Sequence, residues 1–140
     1  MGASLKTNGC EISEMSEAVP PLVMVVDDEV LIRLVAVDML RDAGFRVVEA
    51  CSAEEAITLL ATDAPYDLIF TDVNMPGSVD GIGLVAYVKQ RYPVVPVVVT
   101  SGGIAINELS EAGADAIIPK PYSEIALTRT IGRVLDKRGG

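Results

Sequence analysis

Apolar and polar residues follow two different patterns along the chain. Short, almost continuous apolar runs occur at 22–26, 45–50, 67–71, 94–100 and 114–119. Such runs are typical of strands that are covered on both faces. The stretches between them repeat their apolar residues every three or four positions, as amphipathic helices do. Five strands alternating with five helices predict a parallel sheet with helices on both faces.

Local signals mark several element boundaries. Ser52 and Glu55 form a Ser-x-x-Glu capping box that opens the second helix. Gly44 and Gly113 stand where the first and fourth helices should end. Pro96 is expected near the start of the fourth strand, where no N–H is needed for the ladder.

The first predicted helix carries two apolar stripes. The stripe predicted to face the core consists of Ile32, Val35, Ala36 and Met39, at i, i+3, i+4 and i+7. The second consists of Val30, Leu34 and Val37 and should face outward. Single apolar residues are ordinary on a protein surface. A stripe of them also suits docking against helices of another protein, so it is a candidate docking surface.

The domain organisation follows from length and composition. A chain of 140 residues, half of them hydrophobic, fits one domain with a real core. Residues 1–20 are rich in Ser, Gly, Glu and Asn and are expected to form a flexible tail. Residues 21–138 are expected to form the folded domain, with no output domain after it.

Charge and residue usage narrow the function classes. The net charge is −9 with no histidine, which argues against a nucleic-acid partner and removes the commonest general base and zinc ligand. Cys10 and Cys51 form no CxxC pair and fit a reducing compartment. No apolar run approaches the roughly 20 residues that span a bilayer. We therefore expect a soluble, cytoplasmic protein, as a monomer or weak homodimer.

Polar residues gather where the predicted strands end. Asp27 and Asp28 follow the first strand, Asp72 the third, Thr100 closes the fourth and Lys120 follows the fifth. Ligands of open parallel sheets bind beyond these strand ends. Clustered carboxylates call for a cation, and Mg²⁺ prefers their oxygens. A hydroxyl and a lysine could hold phosphoryl oxygens, and a carboxylate can accept a phosphoryl group.

Each of these residues alone has an ordinary explanation. Asp28 and Asp80 could be helix N-caps, and Lys120 could be a solvated surface lysine. Chance would have to place suitable chemistry at four strand ends together. The joint pattern therefore favours a metal and phosphate site.

The motifs VVDDE, TDVNMPG, VVVTSG and PKP occur in an order and spacing that resemble the receiver domain of two-component response regulators, of the single-domain, chemotaxis-regulator-like kind. The resemblance covers about residues 22–137. It implies a flavodoxin-like (βα)5 fold, a three-layer sandwich with strand order 2-1-3-4-5.

The resemblance also implies roles for the acidic residues. Asp72 would be the phosphoacceptor that becomes 4-aspartylphosphate. Asp28 and Asp72 would bind Mg²⁺ through their side chains and Asn74 through its backbone carbonyl. Asp27 would act through water or a hydrogen bond.

Thr100 and Lys120 would contact the phosphoryl oxygens, and the Lys120–Pro121 peptide bond is expected to be cis. The family usually has Tyr or Phe three residues before the lysine, and that side chain moves together with the threonine. Here the position is Ile117, which has no hydroxyl and fewer rotamers. The loop from Asp72 to Gly81 is also one residue longer than the commonest version.

The implied function is that of a stand-alone receiver. A histidine kinase or histidine phosphotransfer protein would donate the phosphoryl group, and the receiver would catalyse only its own phosphorylation and dephosphorylation. It is therefore not expected to be an enzyme in the ordinary sense. Its output would be phosphorylation-dependent binding of a downstream protein, or a phosphorelay.

Two alternatives stay open at this stage. An unphosphorylated, receiver-like adaptor would have the same fold and no phosphoryl chemistry. A haloacid-dehalogenase-type phosphatase also uses a strand-end aspartate, but it needs a second acid two residues later, where this chain has Asn74.

Overall fold

The computed structural model of the chain describes residues 19–77, 79–102 and 106–139. Most of the predicted tail therefore lies outside the described residues. The ten elements are β1 (Leu22–Val26), α1 (Val30–Asp42), β2 (Arg46–Ala50), α2 (Ala53–Leu60), β3 (Leu68–Asp72), α3 (Gly81–Arg91), β4 (Val97–Ser101), α4 (Ile106–Ala112), β5 (Ala116–Pro119) and α5 (Glu124–Gly139).

The five strands form one sheet in the order β2-β1-β3-β4-β5, and every neighbouring pair is parallel. The predicted flavodoxin-like fold is confirmed. All residues of β1, β3 and β4 are buried, which explains why those segments read as continuous apolar runs.

Two hydrophobic clusters, one on each face of the sheet, make up the three layers. On one face, Met24 and Ile69 of the sheet pack with residues of α2, α3 and α4. On the other face, Val25 and Phe70 pack with residues of α1 and α5. Successive residues of a strand point to opposite faces, so each central strand contributes to both clusters.

The fourth strand begins later than the apolar pattern predicted. A turn in which the Val95 N–H donates to the Tyr92 carbonyl at 2.9 Å occupies the start of the apolar run. Val94 is consequently exposed, and β4 starts at Val97, directly after Pro96. The position predicted for Pro96, at the strand start, is confirmed.

The helix caps agree with the sequence in most places. The Ser52 hydroxyl accepts from the Glu55 N–H at 3.0 Å, and the Glu55 carboxylate accepts from the Cys51 N–H, one residue before the cap, at 2.7 Å. Asp80 caps α3 by accepting from the Gly83 N–H. Asp28 does not cap α1, because Glu29 occupies that position.

The predicted core stripe of α1 is only half correct: Ala36 is buried and Met39 packs against the core, but Ile32 and Val35 are exposed. The buried residues of α1 are Ala36, Val37 and Leu40. Val37 was expected on the outward stripe but is only 1% exposed, whereas Val35, expected in the core, is 52% exposed. The true inward face includes Arg33, one turn before Val37. The stripe of Arg33, Val37 and Leu40 contains a charged residue, so it matched a core pattern less well than the stripe that was predicted. It is nevertheless the stripe that faces the core.

No helix among the described residues is both long enough and apolar enough to cross a membrane.

Candidate functional site

The carboxyl ends of the strands bring the predicted polar residues to one edge of the sheet. Asp27 and Asp28 follow β1, Asp72 is the last residue of β3, and Lys120 follows β5. Thr100 is the register partner of Asp72 across β3 and β4. The structure thus places all five residues in one site.

Three carboxylates form the acidic part of the site. Asp27, Asp28 and Asp72 each offer an oxygen, and these oxygens lie within 4.8 Å of one another. Burial raises the pKa of Asp27 above its ordinary value, the Glu29 N–H that it accepts from opposes this, and the charge of Asp72 adds to it. Packing these acids so closely leaves negative charge that a cation would neutralise.

Asp72 is the buried centre of the site, with 3% of its surface exposed. Its Oδ1 accepts hydrogen bonds from the Lys120 ammonium at 3.1 Å and from the Asn74 N–H at 3.3 Å. The Lys120 N–H donates to the Ser101 carbonyl, which fixes the end of β5 against the end of β4. The Lys120–Pro121 bond is cis, as the resemblance implied.

The Thr100 hydroxyl is a buried polar group of the site that has no partner among the described residues. Thr71, its neighbour on β3, is equally buried but donates to the Asp72 carbonyl at 3.0 Å. A buried hydroxyl without a partner is unfavourable, so Thr100 is ready to bond a group that arrives in the site.

Arg33 holds the turn that carries Asp27. Its Nη1 donates to the Asp27 carbonyl at 2.7 Å, and its Nε donates to Glu49 on β2 at 2.9 Å. The Asp27 N–H in turn donates to the Ala50 carbonyl. Main-chain and side-chain contacts therefore fix the β1–α1 turn on both sides of Asp27.

The β3–α3 loop, with its extra residue, is held by α2. Glu54 accepts from the Val79 N–H at 3.2 Å. Gly77 has a φ of +116° and lies against the same carboxylate, so a side chain there would meet both strain and the Glu54 oxygens. A Cβ on Gly81 would come within 2.5 Å of the Asp72 carbonyl, so α3 starts directly against the end of β3.

Ile117 and Tyr122, which lie close to the site in sequence, pack on opposite faces of the sheet. Ile117 packs partly buried against the α2–α3–α4 cluster and lines a small cavity with Ser101, Ile106 and Pro119. Tyr122 packs its ring edge-to-face on Phe70, with the centroids 5.8 Å apart. Burial raises the pKa of Tyr122, and the charges of Asp27 and Asp72 add to the effect.

An apolar cleft of about 560 Å³ opens beside Lys120, between α1 and the start of the β5–α5 loop. Its lining residues are Leu31, Ile32, Val35, Met39, Lys120, Pro121 and Tyr122. Val30 and Leu34 of the predicted docking stripe are also exposed, and Val37 is not. An apolar surface on α1 therefore exists, composed mainly of residues that the sequence had assigned to the core.

The donor set fits a hard divalent cation. The three carboxylates supply oxygen ligands only, and the site contains neither histidine nor cysteine, which softer metals prefer. Lys120 makes its ion pair with Asp72, and no ion pair joins it to Asp27 or Asp28 among the described residues.

Sequence reasoning missed Arg33, Glu49, Glu54 and Tyr122. Arg33 had no usable signal, because its position one turn before Val37 marks it as inward-facing only once the buried face of α1 is known. Glu49 is the register partner of Val25 and stands out as an acid in an apolar strand. Glu54 and Tyr122 act across long sequence separations, and no local pattern marks them.

Comparison with known proteins agrees with this geometry. The family model described as the response regulator receiver domain matches residues 23–132. An NtrX-like response regulator of Rickettsia bellii is 33% identical over 118 residues, covering 81% of this chain and 24% of that protein. The transcriptional regulatory protein PdtaR of Mycobacterium tuberculosis is 35% identical over 114 residues, covering 79% and 55%.

A solved structure gives the same answer. The receiver domain of NtrX from Brucella abortus superposes with a TM-score of 0.76 at 33% identity, covering 81% of this chain and 98% of that one. The chain thus spans about a quarter to about half of the curated relatives described here, and nearly all of an isolated receiver domain.

Proposed function

Because the chain belongs to the response regulator receiver domain family of two-component systems, we propose that Asp72 accepts a phosphoryl group from a phosphohistidine. One observation carries the proposal. The buried Asp72 carboxylate lies within 4.8 Å of an oxygen of each of two further acids, and the Lys120 ammonium is 3.1 Å from it. This arrangement holds a nucleophile and a charge partner for a phosphoryl group in one small site.

The reaction is a transfer between two proteins. A carboxylate oxygen of Asp72 attacks phosphorus, a new O–P bond forms, and the N–P bond to the donor imidazole breaks. The imidazole leaves with the bonding electron pair and takes up a proton. Lys120 then pairs with a phosphoryl oxygen, and the Thr100 hydroxyl donates to another.

Mg²⁺ would be held by the side chains of Asp28 and Asp72 and the backbone carbonyl of Asn74, with Asp27 acting through water. When bound, the ion supplies the positive charge that lets an anionic phosphoryl group approach the acids. The protein residues hold the acids in position. Arg33 supports the β1–α1 turn, and Glu54 supports the β3–α3 loop.

The donor is a histidine kinase or a histidine phosphotransfer protein that docks on α1. The apolar cleft lies directly beside Lys120, and it offers Leu31 and Val35 together with Pro121. A helical donor domain seated on this face would bring its histidine over the strand ends. The docking surface is thus the exposed face of α1, revised from the stripe of Val30, Leu34 and Val37.

The output is phosphorylation-dependent binding to another protein, or onward transfer in a relay. The phosphoryl group adds about −1.5 to −2 charges at neutral pH. That charge draws Thr100 and Lys120 toward it and so biases the ends of β4 and β5. Ile117 lies on β5 between these residues and the small cavity on the α4 side, where the family has an aromatic residue.

Phosphorylation by acetyl phosphate with Mg²⁺ tests the proposal. Intact-mass spectrometry should show one added phosphoryl group on the wild type and none on Asp72→Asn. Omission of Mg²⁺ should also prevent the addition. A wild-type protein that never gains the mass, while remaining folded, would support the adaptor alternative instead.

A further inference from the structure

A second polar pocket lies at the end of the sheet opposite the phosphoacceptor. It has a volume of about 320 Å³ and is formed where β4 and β5 begin, between the ends of α3 and α5. None of the residues that surround Asp72 contributes to it. Its chemistry is therefore independent of the proposed phosphoryl transfer.

The pocket is strongly basic in a strongly acidic protein. Its lining includes Lys89, Arg133, Lys137 and Arg138 against the acid Asp115, and Asp67 pairs with Arg138 from just outside the lining, so four positive and two negative charges leave a net of +2. The whole chain has a net charge of −9 and only 11 basic residues. More than a third of the basic residues thus face one small pocket.

Two of these cations have no acid partner. Lys89 pairs with Asp115, and Arg138 pairs with Asp67 at 3.1 Å. Arg133 and Lys137 make no ion pair or hydrogen bond with any described residue. They are one helical turn apart, where like charges repel each other slightly. No acidic side chain of the described residues pairs with Arg133 or Lys137 to offset that repulsion.

The end of the helix explains only part of this charge. Basic residues in the last turn of a helix interact favourably with its dipole, and Lys137 and Arg138 are in the last turn of α5. Arg133 lies six residues before Gly139, outside that turn, and Lys89 belongs to another helix. The ion pair with Asp115 accounts for Lys89, so the cation that needs a different reason is Arg133, which lines the concavity without a partner among the described residues.

We propose that this pocket binds a small polyanion, a compact ligand with two or more phosphate or carboxylate groups. Its volume is at the lower end of the range for small-molecule sites, which favours a compact ligand over an extended one. The guanidinium of Arg133 suits two-pronged contacts to such oxygens, and Lys137 adds a point charge. Pro96 and Val134 supply an apolar floor.

Titration of ¹⁵N-labelled protein with sodium pyrophosphate tests the site. The buffer is free of Mg²⁺, and NaCl keeps the ionic strength constant. The expected result is saturable shifts at amides around the pocket, with a Kd at or below about 1 mM, and none at Asp72. Because Mg²⁺ and the phosphoacceptor take no part, failure here leaves the proposed function untouched.

Matched variants decide the result. The double variant Arg133→Gln, Lys137→Gln removes both charges while leaving polar side chains and should bind at least tenfold more weakly. Arg129→Gln, also on α5 but outside the pocket, should bind like the wild type. Shifts that do not saturate, or that are equal in both variants, overturn the proposal. The dispersion of each variant's spectrum shows that it is folded.

A second titration with citrate identifies the chemistry of the ligand. Binding of pyrophosphate at least tenfold tighter than citrate assigns the pocket to phosphate ligands. Similar affinities assign it to small polyanions of either kind. Both results support the site, whereas saturable binding of neither anion overturns it.

Discussion

The guanidinium of Arg33 donates to the backbone carbonyl of Asp27 at 2.7 Å and thereby ties α1 to the turn that carries two of the three site acids. Glu49 balances the charge of Arg33 from β2. Arg33 thus acts on the site through the backbone and touches none of the reacting groups. It is a positioning residue for the metal and phosphoryl chemistry.

Replacing Arg33 should weaken the metal site. In Arg33→Met, the Asp27 turn loses a charged hydrogen bond and Glu49 loses its partner. Outer contacts of this kind typically change metal affinity 10- to 100-fold. We expect the Mg²⁺ concentration for half-maximal acetyl phosphate labelling to rise by about tenfold or more, with Arg33→Lys in between.

Arg41→Met is the matched control for this prediction. Arg41 is on the same helix, but the one hydrogen bond of its side chain to a described residue is to the Val47 carbonyl, at 3.5 Å. Its Mg²⁺ dependence should match that of the wild type. If Arg33→Met and wild type show the same Mg²⁺ dependence, Arg33 does not position the site.

Arg33 also shows why the sequence predicts the fold better than it predicts which face of a helix is buried. Strand order and element number follow from apolar runs that are buried on both sides, where no choice of face exists. α1 is apolar almost all round, so several frames fit a core stripe. The stripe that actually faces the core contains Arg33. Arg33 points inward because its guanidinium binds the Asp27 carbonyl and the Glu49 carboxylate.

The site divides in a similar way. Asp27, Asp72 and Lys120 could be placed because strand ends of a parallel sheet meet at one edge. The contacts of Glu54 with the loop around Val79, and of Tyr122 with Phe70, depend on how loops and helices close over the sheet. No spacing in the sequence encodes those distances.

The corrected orientation of α1 predicts unequal costs for two truncations. Val37→Ala removes a fully buried side chain and should lower the free energy of unfolding by about 2 kcal/mol. Leu31→Ala removes a side chain that is 77% exposed and should change it by less than about 0.5 kcal/mol. Urea denaturation followed by circular dichroism measures both values. Equal costs would mean that the α1 face is assigned wrongly.

The exposed face of α1 predicts a selective defect in phosphotransfer. Leu31→Asp places a charge in the apolar cleft beside Lys120. It should slow transfer from a phosphorylated histidine kinase about tenfold or more, the effect of losing about 1.4 kcal/mol of docking energy. Labelling by acetyl phosphate, which needs no docking, should stay at the wild-type rate.

Val94→Asp provides the control for that experiment. Val94 is 77% exposed, as Leu31 is, but it lies at the opposite end of the sheet. Transfer from the kinase should be unaffected in this variant. A Leu31→Asp protein that loses both reactions equally would argue against docking and for damage to the site itself.

Replacing Thr100 and replacing Thr71 should change the free energy of unfolding in opposite directions. Both residues are buried, but within the described part of the chain Thr71 has a hydrogen-bond acceptor, the Asp72 carbonyl, and Thr100 has none. Thr100→Val replaces a hydroxyl without a protein partner by a methyl group of similar size, and should raise the free energy of unfolding by about 1 kcal/mol. Thr71→Val loses a hydrogen bond and should lower it by about 1 kcal/mol.

The same pair of variants tests what the Thr100 hydroxyl is for. Addition of Mg²⁺ and beryllofluoride, which imitates the phosphoryl group, should stabilise the wild type and Thr71→Val by similar amounts, measured as the shift in thermal midpoint. Thr100→Val should gain less, because it cannot donate to the added group. A Thr100→Val protein that is less stable without beryllofluoride, yet gains as much from it as the wild type, would show that this hydroxyl serves the resting fold and not the phosphorylated state.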